Sequence, residues 1–380
     1  MTLGQRLEIT GGRPTGFDYL RIALACSVIV AHSVGISYGN DFATMFYGIP
    51  GINALAMLIL PMFFSLSGFL VAGSAARARS LIGFLGLRAI RIYPALTVEV
   101  ALSAFILGPF FTDLPIGQYF TDHTFLRYLV NVTGDISYYL PGVFHFNPTP
   151  DLVNYQLWTV PFELYCYASI AVLMLIGATT RPKLFLTLTC ALTVVEFAHH
   201  LYTHWHNPLA RDFAGHIGGG LLVCSFLFGV SVFLFADQLP WSRRWGIASG
   251  ILTIALLNVP LAEYLAVVPA AYLTVYLGLM NPPKRGILRG ADYSYGVYLY
   301  GWPVQQALVA AFPWCRVWWV NIILTLLLAG GFAALSWHFI EKPALAARKP
   351  LKAFEDRWLA AKRHPFAQTA LSLLARRSGT

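Results

Sequence analysis

The stretch FDYLRIALACSVIVAHS, residues 17–33, decides the fold because it combines a long apolar run with two ionisable side chains, Arg21 and His32. An α-helix turns about 100° per residue, so the eleven steps between them make about three turns and place both on one face, roughly 16 Å apart along the axis. Ionisable residues are costly in lipid and usually face a cavity, and an imidazole changes its charge near neutral pH. The segment therefore predicts a membrane helix that lines a functional cavity.

The composition of the whole chain indicates the same class. Hydrophobic residues make up 57% of the 380 residues, charged residues make up 11%, and the mean hydropathy is +0.62. Soluble domains carry about 25% charged residues, whereas apolar runs of about 20 residues, the length that crosses a bilayer, follow one another along this sequence. We therefore predict an all-α fold, a polytopic integral membrane bundle without a separate soluble domain.

About ten transmembrane helices can be drawn, with both termini in the cytoplasm. The predicted organisation is a cytoplasmic N-terminal tail at 1–17, a ten-helix membrane domain at 18–341 and a basic cytoplasmic tail at 342–380. The predicted spans are 18–37, 51–72, 88–108, 156–177, 183–203, 217–236, 245–260, 262–280, 295–312 and 318–340.

The basic residues support this orientation. Of the 26 Lys and Arg residues, only Arg127, Arg211 and Arg316 fall on the outer side of the ten-span arrangement, as the excess of basic residues in cytoplasmic loops requires. The net charge of +9 is therefore mostly an orientation signal, and the basic tail is expected to contact anionic membrane lipids. The sequence contains no aromatic-interleaved basic module of the kind that binds nucleic acid.

Two segments outside the spans have predicted roles. The longest outer segment, about 109–155, contains five prolines and far exceeds the usual connection of about 4–6 residues. It predicts a cap over an outer cavity, with a passive surface loop as the alternative. The tail at 342–380 predicts a basic amphipathic helix on the inner surface.

Basic residues near the third span predict a site for a polyanion such as a nucleotide diphosphate. Arg88 and Arg91 are three residues apart and project from one side of a helix, and Arg77 and Arg79 lie just upstream. For Arg77 and Arg79 the alternative is anchoring at the cytoplasmic surface.

Small residues in the second span predict close approach, either of a neighbouring helix or of a ligand. They are Ser65, Ser67 and Gly68, in PMFFSLSGFL at 61–70. We assign Ser67 and Gly68 to the donor-binding set and keep helix packing as the alternative.

Carboxylates inside a membrane span are candidates for chemistry. Glu163 lies in NYQLWTVPFELYCY, residues 154–167, one turn before Tyr167, and a carboxylate can orient an imidazole or bind a sugar hydroxyl. Asn154, Trp158 and Tyr167 in the same stretch are candidates for substrate binding. Glu99 either pairs with an arginine or lies near the reaction centre.

Other polar segments have simpler interpretations. The His-rich segment 199–216 places His200 and His204 at i,i+4 spacing but has no HExxH pattern and no thiolate nearby, so we predict no metal site. The Tyr- and Trp-rich stretch 291–306 is typical of an interfacial belt, and FIEKPA at 339–344 is typical of the end of a last span.

Seven sequence blocks, in order, resemble the membrane acyltransferase 3 family, the integral-membrane O-acyltransferases that modify cell-surface glycans. The resemblance extends over about 17–344. The blocks are FDYLRIALACSVIVAHS with Arg21 and His32, FFSLSGFLVAG, LRAIRIYPAL, the segment from PGVF to NYQLWTVPFELYCY, FLFG at 226–229, YSYGVYLYGWPVQQ and FIEKPA.

The resemblance implies a multi-pass enzyme of the bacterial inner membrane. Members move an acyl group, usually acetyl, from cytoplasmic acyl-CoA to a sugar hydroxyl of a lipid-linked or polymeric glycan, such as an exopolysaccharide or a lipopolysaccharide. Arg21, His32, Arg88, Arg91 and Glu163 fall on family motif positions.

Two departures from the family pattern matter for the mechanism. Many members carry a histidine where this chain has Gly301, so any role of that histidine is not expected here. We also expect no appended soluble hydrolase-like domain, so that the final transfer occurs in the membrane domain or in a separate partner.

The expected mechanism centres on His32, and the expected site residues form three sets. His32 acts as general base on the acceptor hydroxyl or carries the acyl group briefly, steadied by Glu163 or another carboxylate. The alternatives are a transporter or flippase, in which these residues form a proton relay or a substrate path, and an acyltransferase-like scaffold without catalysis. The sets are His32, Glu163 and Arg21 for catalysis; Arg88, Arg91, Arg77, Ser67 and Gly68 for the acyl-CoA donor; and Trp158, Tyr167 and Asn154 for the acceptor.

Overall fold

The computed structural model describes residues 1–12, 14–206, 217–286 and 291–360. Over these ranges the chain folds into helices and turns, and no β-strand forms, which confirms the predicted all-α class. The predicted outer-side Arg211, the His204 side chain and the tail beyond residue 360 lie outside the described residues.

Ten helices of fifteen residues or more form the body of the described structure. Short helical segments connect them, among them Leu3–Ile9 and Asn40–Tyr47. The ten are α1 (Gly16–Tyr38), α2 (Ile52–Ala76), α3 (Leu81–Leu102), α4 (Val160–Leu175), α5 (Pro182–His206), α6 (Gly219–Leu234), α7 (Arg243–Leu257), α8 (Glu263–Gly278), α9 (Ser294–Ala311) and α10 (Trp318–Ser336).

Length and composition make this a multi-pass membrane protein, because several helices can each cross a bilayer. Two further apolar helices, α6 and α8, are shorter. A helix occupies each of the ten predicted ranges, but the number of spans and the position of the termini stay predictions. Six helical stretches are each long and apolar enough to cross a bilayer: Gly16–Tyr38, Ile52–Ala76, Leu81–Phe111, Tyr155–Leu175, Pro182–Thr203 and Trp318–Ala360.

Helices α2 and α6 cross at a seam of small residues. A Cβ atom on Gly68 would lie 2.0 Å from the carbonyl oxygen of Phe226, and one on Gly229 would lie 2.1 Å from that of Ser65. The Ser65 hydroxyl donates to the Ser225 carbonyl at 3.0 Å. Gly68 therefore permits close helix packing, and its assignment to donor binding is corrected, because the neighbouring backbone fills the space where a ligand would lie.

Hydrogen bonds from α9 join it to α1 and to the segment 109–155. The Gln305 amide donates to the Ile29 carbonyl of α1 at 3.0 Å. The Gln306 amide donates to the carbonyls of Thr149 and Leu152 at 2.8 and 2.9 Å. These bonds fix α1 and the segment 109–155 against the same helix.

The segment 109–155 is folded rather than extended. Tyr119, Phe125 and Tyr128 are buried within it, and the Tyr119 hydroxyl donates to the Ala104 carbonyl at 2.7 Å. The chain then returns to α4 through Tyr155–Thr159. Its other helical segments are Gly108–Phe111, Ile116–Thr121, His123–Leu129 and Val130–Thr133.

The described part of the C-terminal tail packs on the start of α3. Its residues 348–360 are helical, the Ser80 hydroxyl donates to Glu355 at 2.5 Å, and Arg79 forms ion pairs with Glu355 and Asp356. Arg79 is therefore engaged by the tail, and its expected place at a phosphate site is corrected.

Candidate functional site

Two cavities lie one behind the other in the helix bundle. We call the first the arginine cavity; its volume is about 160 Å³, and its polar lining comprises Arg21, Ser67, Arg88, Arg91, Thr159, Glu163, Tyr167, Ser294, Tyr295 and Tyr298. We call the second the histidine cavity; its volume is about 350 Å³, and its lining includes His32, Asn40, Tyr138, Tyr139, Tyr155, Trp158 and Trp302.

Leu60 of α2 and Tyr298 of α9 line both cavities. The Tyr298 hydroxyl donates to the Gln156 carbonyl at 2.8 Å and lies 2.5 Å from the Thr159 hydroxyl. Tyr298 is thus held by the turn before α4. Leu60 and Tyr298 form the partition through which any group passing from one cavity to the other would travel.

Arg21 and His32 lie on one helix, as predicted, but they serve different cavities. Arg21 lines the arginine cavity and His32 lines the histidine cavity. The axial separation of the two side chains, expected from the eleven helical steps between them, therefore corresponds to the separation of the two cavities.

One carboxylate joins two of the predicted arginines. Arg91 Nη2 lies 2.6 Å from Asp292 Oδ2, and Arg21 pairs with the same oxygen. Arg91 Nη1 also lies 3.2 Å from Glu341 Oε2. The interpretation of Asp292 as part of an interfacial belt and of Glu341 as part of an ordinary helix end is corrected, because both carboxylates pair with Arg91 beside the cavity.

Asp292 lies in the connection just before α9, and its environment keeps it ionised. Burial alone would raise the pKa of Asp292, but the guanidinium groups of Arg21 and Arg91 outweigh this effect, and the pKa lies below its usual range. A backbone hydrogen bond from Ser294 favours the charged form as well. Asp292 therefore positions two arginines from two different helices.

Arg88 is the arginine of this cavity that forms no ion pair with the described residues. Its guanidinium contacts the Ser74 hydroxyl at 3.3 Å and lies 5.8 Å from the centre of the Tyr167 ring. Its Nε is buried without a hydrogen-bond partner. An unpaired guanidinium facing a cavity is suited to an anionic ligand.

Glu163 belongs to the arginine cavity. It accepts a hydrogen bond of 2.5 Å from the Tyr167 hydroxyl, one helical turn away on α4, as their spacing predicts. Glu163 and His32 line different cavities and share no described contact, so the structure does not bring Glu163 to the position from which it would steady His32. Tyr167 likewise lies at the arginine cavity, away from the predicted acceptor site.

His32 presents an unpaired imidazole to the histidine cavity. Its Nδ1 has no hydrogen-bond partner, and its ring packs edge-on against Trp302, with centroids 4.8 Å apart. The aromatic contact fixes the ring, while no described carboxylate orients it. Trp158, predicted to bind the acceptor, lines the same cavity.

The remaining predicted site residues lie elsewhere. Asn154 is fully buried and donates to Glu99 at 2.8 Å and to the Leu299 carbonyl at 3.1 Å. Glu99 also accepts from Ser103 at 2.8 Å and has no arginine partner among the described residues. These contacts hold Asn154 inside the bundle, outside the lining of both cavities. Arg77 is exposed at the end of α2, outside the lining of the arginine cavity.

The described part of the His-rich segment contacts a carboxylate of α8. His200 Nε2 lies 3.3 Å from Glu263 Oε1. Within the described ranges, no group of three or more His, Cys, Asp and Glu side chains is arranged to hold a metal ion.

Comparison with known proteins identifies the family of this chain. Residues 15–341 match the family described as an acyltransferase domain. The chain is 28% identical to nodulation protein 10 of Rhizobium leguminosarum bv. viciae, an alignment that covers 92% of this chain and 98% of the relative. It is 26% identical to the O-acetyl transferase of Shigella phage Sf6, with 88% and 97% covered. No solved structure gives a significant match.

The family match includes both cavities, since Arg21, His32, Arg91, Glu163 and Asp292 all fall within the matched range. Because that range covers most of the sequence, the chain belongs to the acyltransferase 3 family and is an acyltransferase.

Proposed function

We propose that this protein is a multi-pass O-acetyltransferase of the bacterial inner membrane. It takes the acetyl group of acyl-CoA in the arginine cavity and delivers it to a sugar hydroxyl of an envelope glycan in the histidine cavity. Both termini and the arginine cavity face the cytoplasm, and about ten helices cross the membrane. The observation that carries the proposal is the pair of cavities that share Leu60 and Tyr298 as their partition.

The arginine cavity suits a donor with phosphate groups. Arg88 forms no ion pair with the described residues and has a buried Nε without a partner, and Arg21 and Arg91 are held beside it by Asp292. A guanidinium has five N–H donors, so an arginine paired with one carboxylate oxygen still has donors for a phosphate. In this proposal the phosphates stay at the arginine cavity while the acyl end of the donor reaches the partition.

The histidine cavity suits proton removal from a hydroxyl. A neutral imidazole nitrogen of His32 takes the hydroxyl proton as the sugar oxygen bonds to the acyl carbon. The carbon–sulfur bond of the thioester breaks, and the thiolate leaves and is protonated. The alternative order forms an acyl-imidazole on His32 first and transfers the acyl group to the sugar afterwards. In both orders the aromatic walls exclude water that would hydrolyse the thioester.

The aromatic lining supports a glycan acceptor. Trp158, Tyr155 and Trp302 line the histidine cavity, and such side chains combine apolar contact with hydrogen bonding. The O-acetyl transferase named among the relatives supports acetyl as the group transferred.

The test is the ester content of envelope glycans in a deletion strain complemented with variants at equal membrane abundance. His32→Ala should leave esters at the deletion level, whereas His199→Ala, a matched change on the exposed face of α5, should restore them. Full restoration by His32→Ala would contradict the proposed role of His32. Wild-type protein that binds acetyl-CoA but restores no ester would favour a transporter.

A further inference from the structure

A third, apolar hollow lies beside the histidine cavity, and we call it the lateral groove. It lies between α1, the short helix Asn40–Tyr47 and α2, and its volume is about 770 Å³. Its lining includes Val30, Val34, Phe42, Leu55, Ile59 and Trp318.

The lateral groove opens on the surface of the helix bundle, between two candidate membrane spans. Its two long walls, α1 and α2, are both candidate membrane spans. Val30 and Leu55, which line it, are 45% and 61% exposed. Within a bilayer an apolar, outward-facing groove of this kind contacts lipid chains.

The lateral groove shares a wall with the histidine cavity. Ala31, Tyr47, Ala56 and Ile59 line both. The Tyr47 hydroxyl donates to the Ala31 carbonyl, so this side chain is the polar part of the wall between them. Rotation of Tyr47 would join the groove to the space beside His32.

A cation lies two positions along the chain from the groove residue Trp318. Arg316 is exposed and forms no ion pair with the described residues; it ends the turn Pro313–Arg316, two residues before the groove residue Trp318. The Trp318 backbone N–H donates to the Tyr38 hydroxyl at 3.4 Å, which ties this turn to the end of α1. Guanidinium groups bind phosphate well.

We propose that the lateral groove binds the hydrocarbon chain of a lipid-linked glycan acceptor, with the linking phosphates at Arg316 and the sugar entering the histidine cavity past Tyr47. This inference rests on the proposed function and adds the form in which the acceptor arrives. An apolar groove, a nearby cation and a wall shared with the cavity that contains His32 match the three parts of such a molecule. A glycan already released into water would use neither the groove nor Arg316.

The test measures binding without acyl transfer. The full chain is placed in nanodiscs of phosphatidylethanolamine and phosphatidylglycerol and irradiated with geranylgeranyl diphosphate that carries a diazirine on its chain. We expect labelling on Asn40–Tyr47 and α2 that unlabelled geranylgeranyl diphosphate removes and excess phosphatidylglycerol does not. Val30→Trp, which fills the groove, should lower labelling about tenfold, and Arg316→Gln should weaken competition by the diphosphate about tenfold.

Val194→Trp is the matched control, because Val194 is 66% exposed on α5, away from the groove. It should keep both the labelling and the glycan esters, whereas Val30→Trp should lose both. Equal competition by phosphatidylglycerol, or labelling that neither Val30→Trp nor Arg316→Gln changes, would mean that the groove holds ordinary membrane lipid. The inference would then be wrong.

The outcomes separate this inference from the proposed function. His32→Ala should keep full labelling while it loses ester formation. Ester formation without selective labelling would overturn the lateral groove alone, and selective labelling by a wild-type protein that forms no ester would overturn the acetyltransferase.

Discussion

Leu60 and Tyr298, on helices α2 and α9, line the arginine cavity on one side and the histidine cavity on the other. Tyr298 is held by hydrogen bonds at its hydroxyl, whereas Leu60 has only apolar contacts to keep it in place. Passage of an acyl group between the cavities therefore depends on the space beside Leu60.

Leu60→Trp should block this passage. The larger ring fills the partition, so the reacting groups no longer meet and acyl transfer should fall about tenfold or more. The dissociation constant for CoA, measured by calorimetry, should change by less than about twofold. Leu265→Trp, at an exposed position on α8, is the control for loss of folding. Equal transfer by Leu60→Trp and wild type would show that the partition is not on the path.

Glu163→Gln should change the handling of the donor only. The carboxylate lies in the arginine cavity with Tyr167, so its neutralisation should alter the KM for acetyl-CoA while the KM for the acceptor stays constant. Steady-state kinetics with each substrate varied in turn makes the distinction. A change confined to the acceptor KM would place Glu163 beside His32, against the structure.

Asp292→Asn should lower both stability and transfer. Arg21 loses its ion pair and Arg91 keeps only Glu341, and removing one partner of a largely buried pair costs about 3 kcal/mol. Thermal unfolding in detergent should show a lower Tm. Asp292→Glu keeps the charge and should recover part of the loss; a Tm unchanged by Asp292→Asn would show that the pairing is not structural.

The effect of Asp292 should also depend on pH. The folded-state pKa of Asp292 is lowered, so its stabilisation is complete above the ordinary value of about 4 and is lost as pH falls through the lowered pKa. The Tm difference between wild type and Asp292→Asn should therefore be constant from about pH 8 to pH 5 and shrink only in stronger acid. A difference that already shrinks between those values would mean that the pKa of Asp292 is raised.

Gly68→Ala should separate helix packing from ligand binding. The new methyl group would meet the Phe226 carbonyl oxygen at 2.0 Å, so α2 and α6 must move apart, at a cost of about 1–3 kcal/mol. Gly331→Ala on α10, where nothing lies within 4 Å, should be neutral or stabilising by about 0.5–1 kcal/mol. Unchanged stability with weaker donor binding in Gly68→Ala would instead restore its assignment to the donor site.

Sequence reasoning predicted those features of the site that depend on residue spacing within a single helix. Helical spacing placed Arg21 and His32 on a cavity-lining face and brought Glu163 and Tyr167 one turn apart, because both relations depend on a single helix. The class of the fold followed from apolar run length in the same way.

Contacts between distant parts of the chain were beyond this reasoning. Asp292 lies 271 positions from Arg21 and 201 from Arg91, and a lone carboxylate in a Tyr-rich stretch gives no sign of its partners. Gly68 shows a different limit, because a small residue suits helix packing and ligand approach equally. The signal that was available for Asp292 was its position directly before an apolar helix, where a buried charge needs a partner.

A sided transfer assay tests most directly whether the acyl group passes from the arginine cavity to the histidine cavity. Proteoliposomes with the arginine end outward receive labelled acetyl-CoA outside and enclose the glycan acceptor inside, with wild type, His32→Ala and Leu60→Trp compared at equal protein. Wild type should give labelled ester on the enclosed glycan, and neither variant should give ester above background. Equal ester with His32→Ala, or ester formed only when donor and acceptor share one compartment, would contradict transfer between the two cavities.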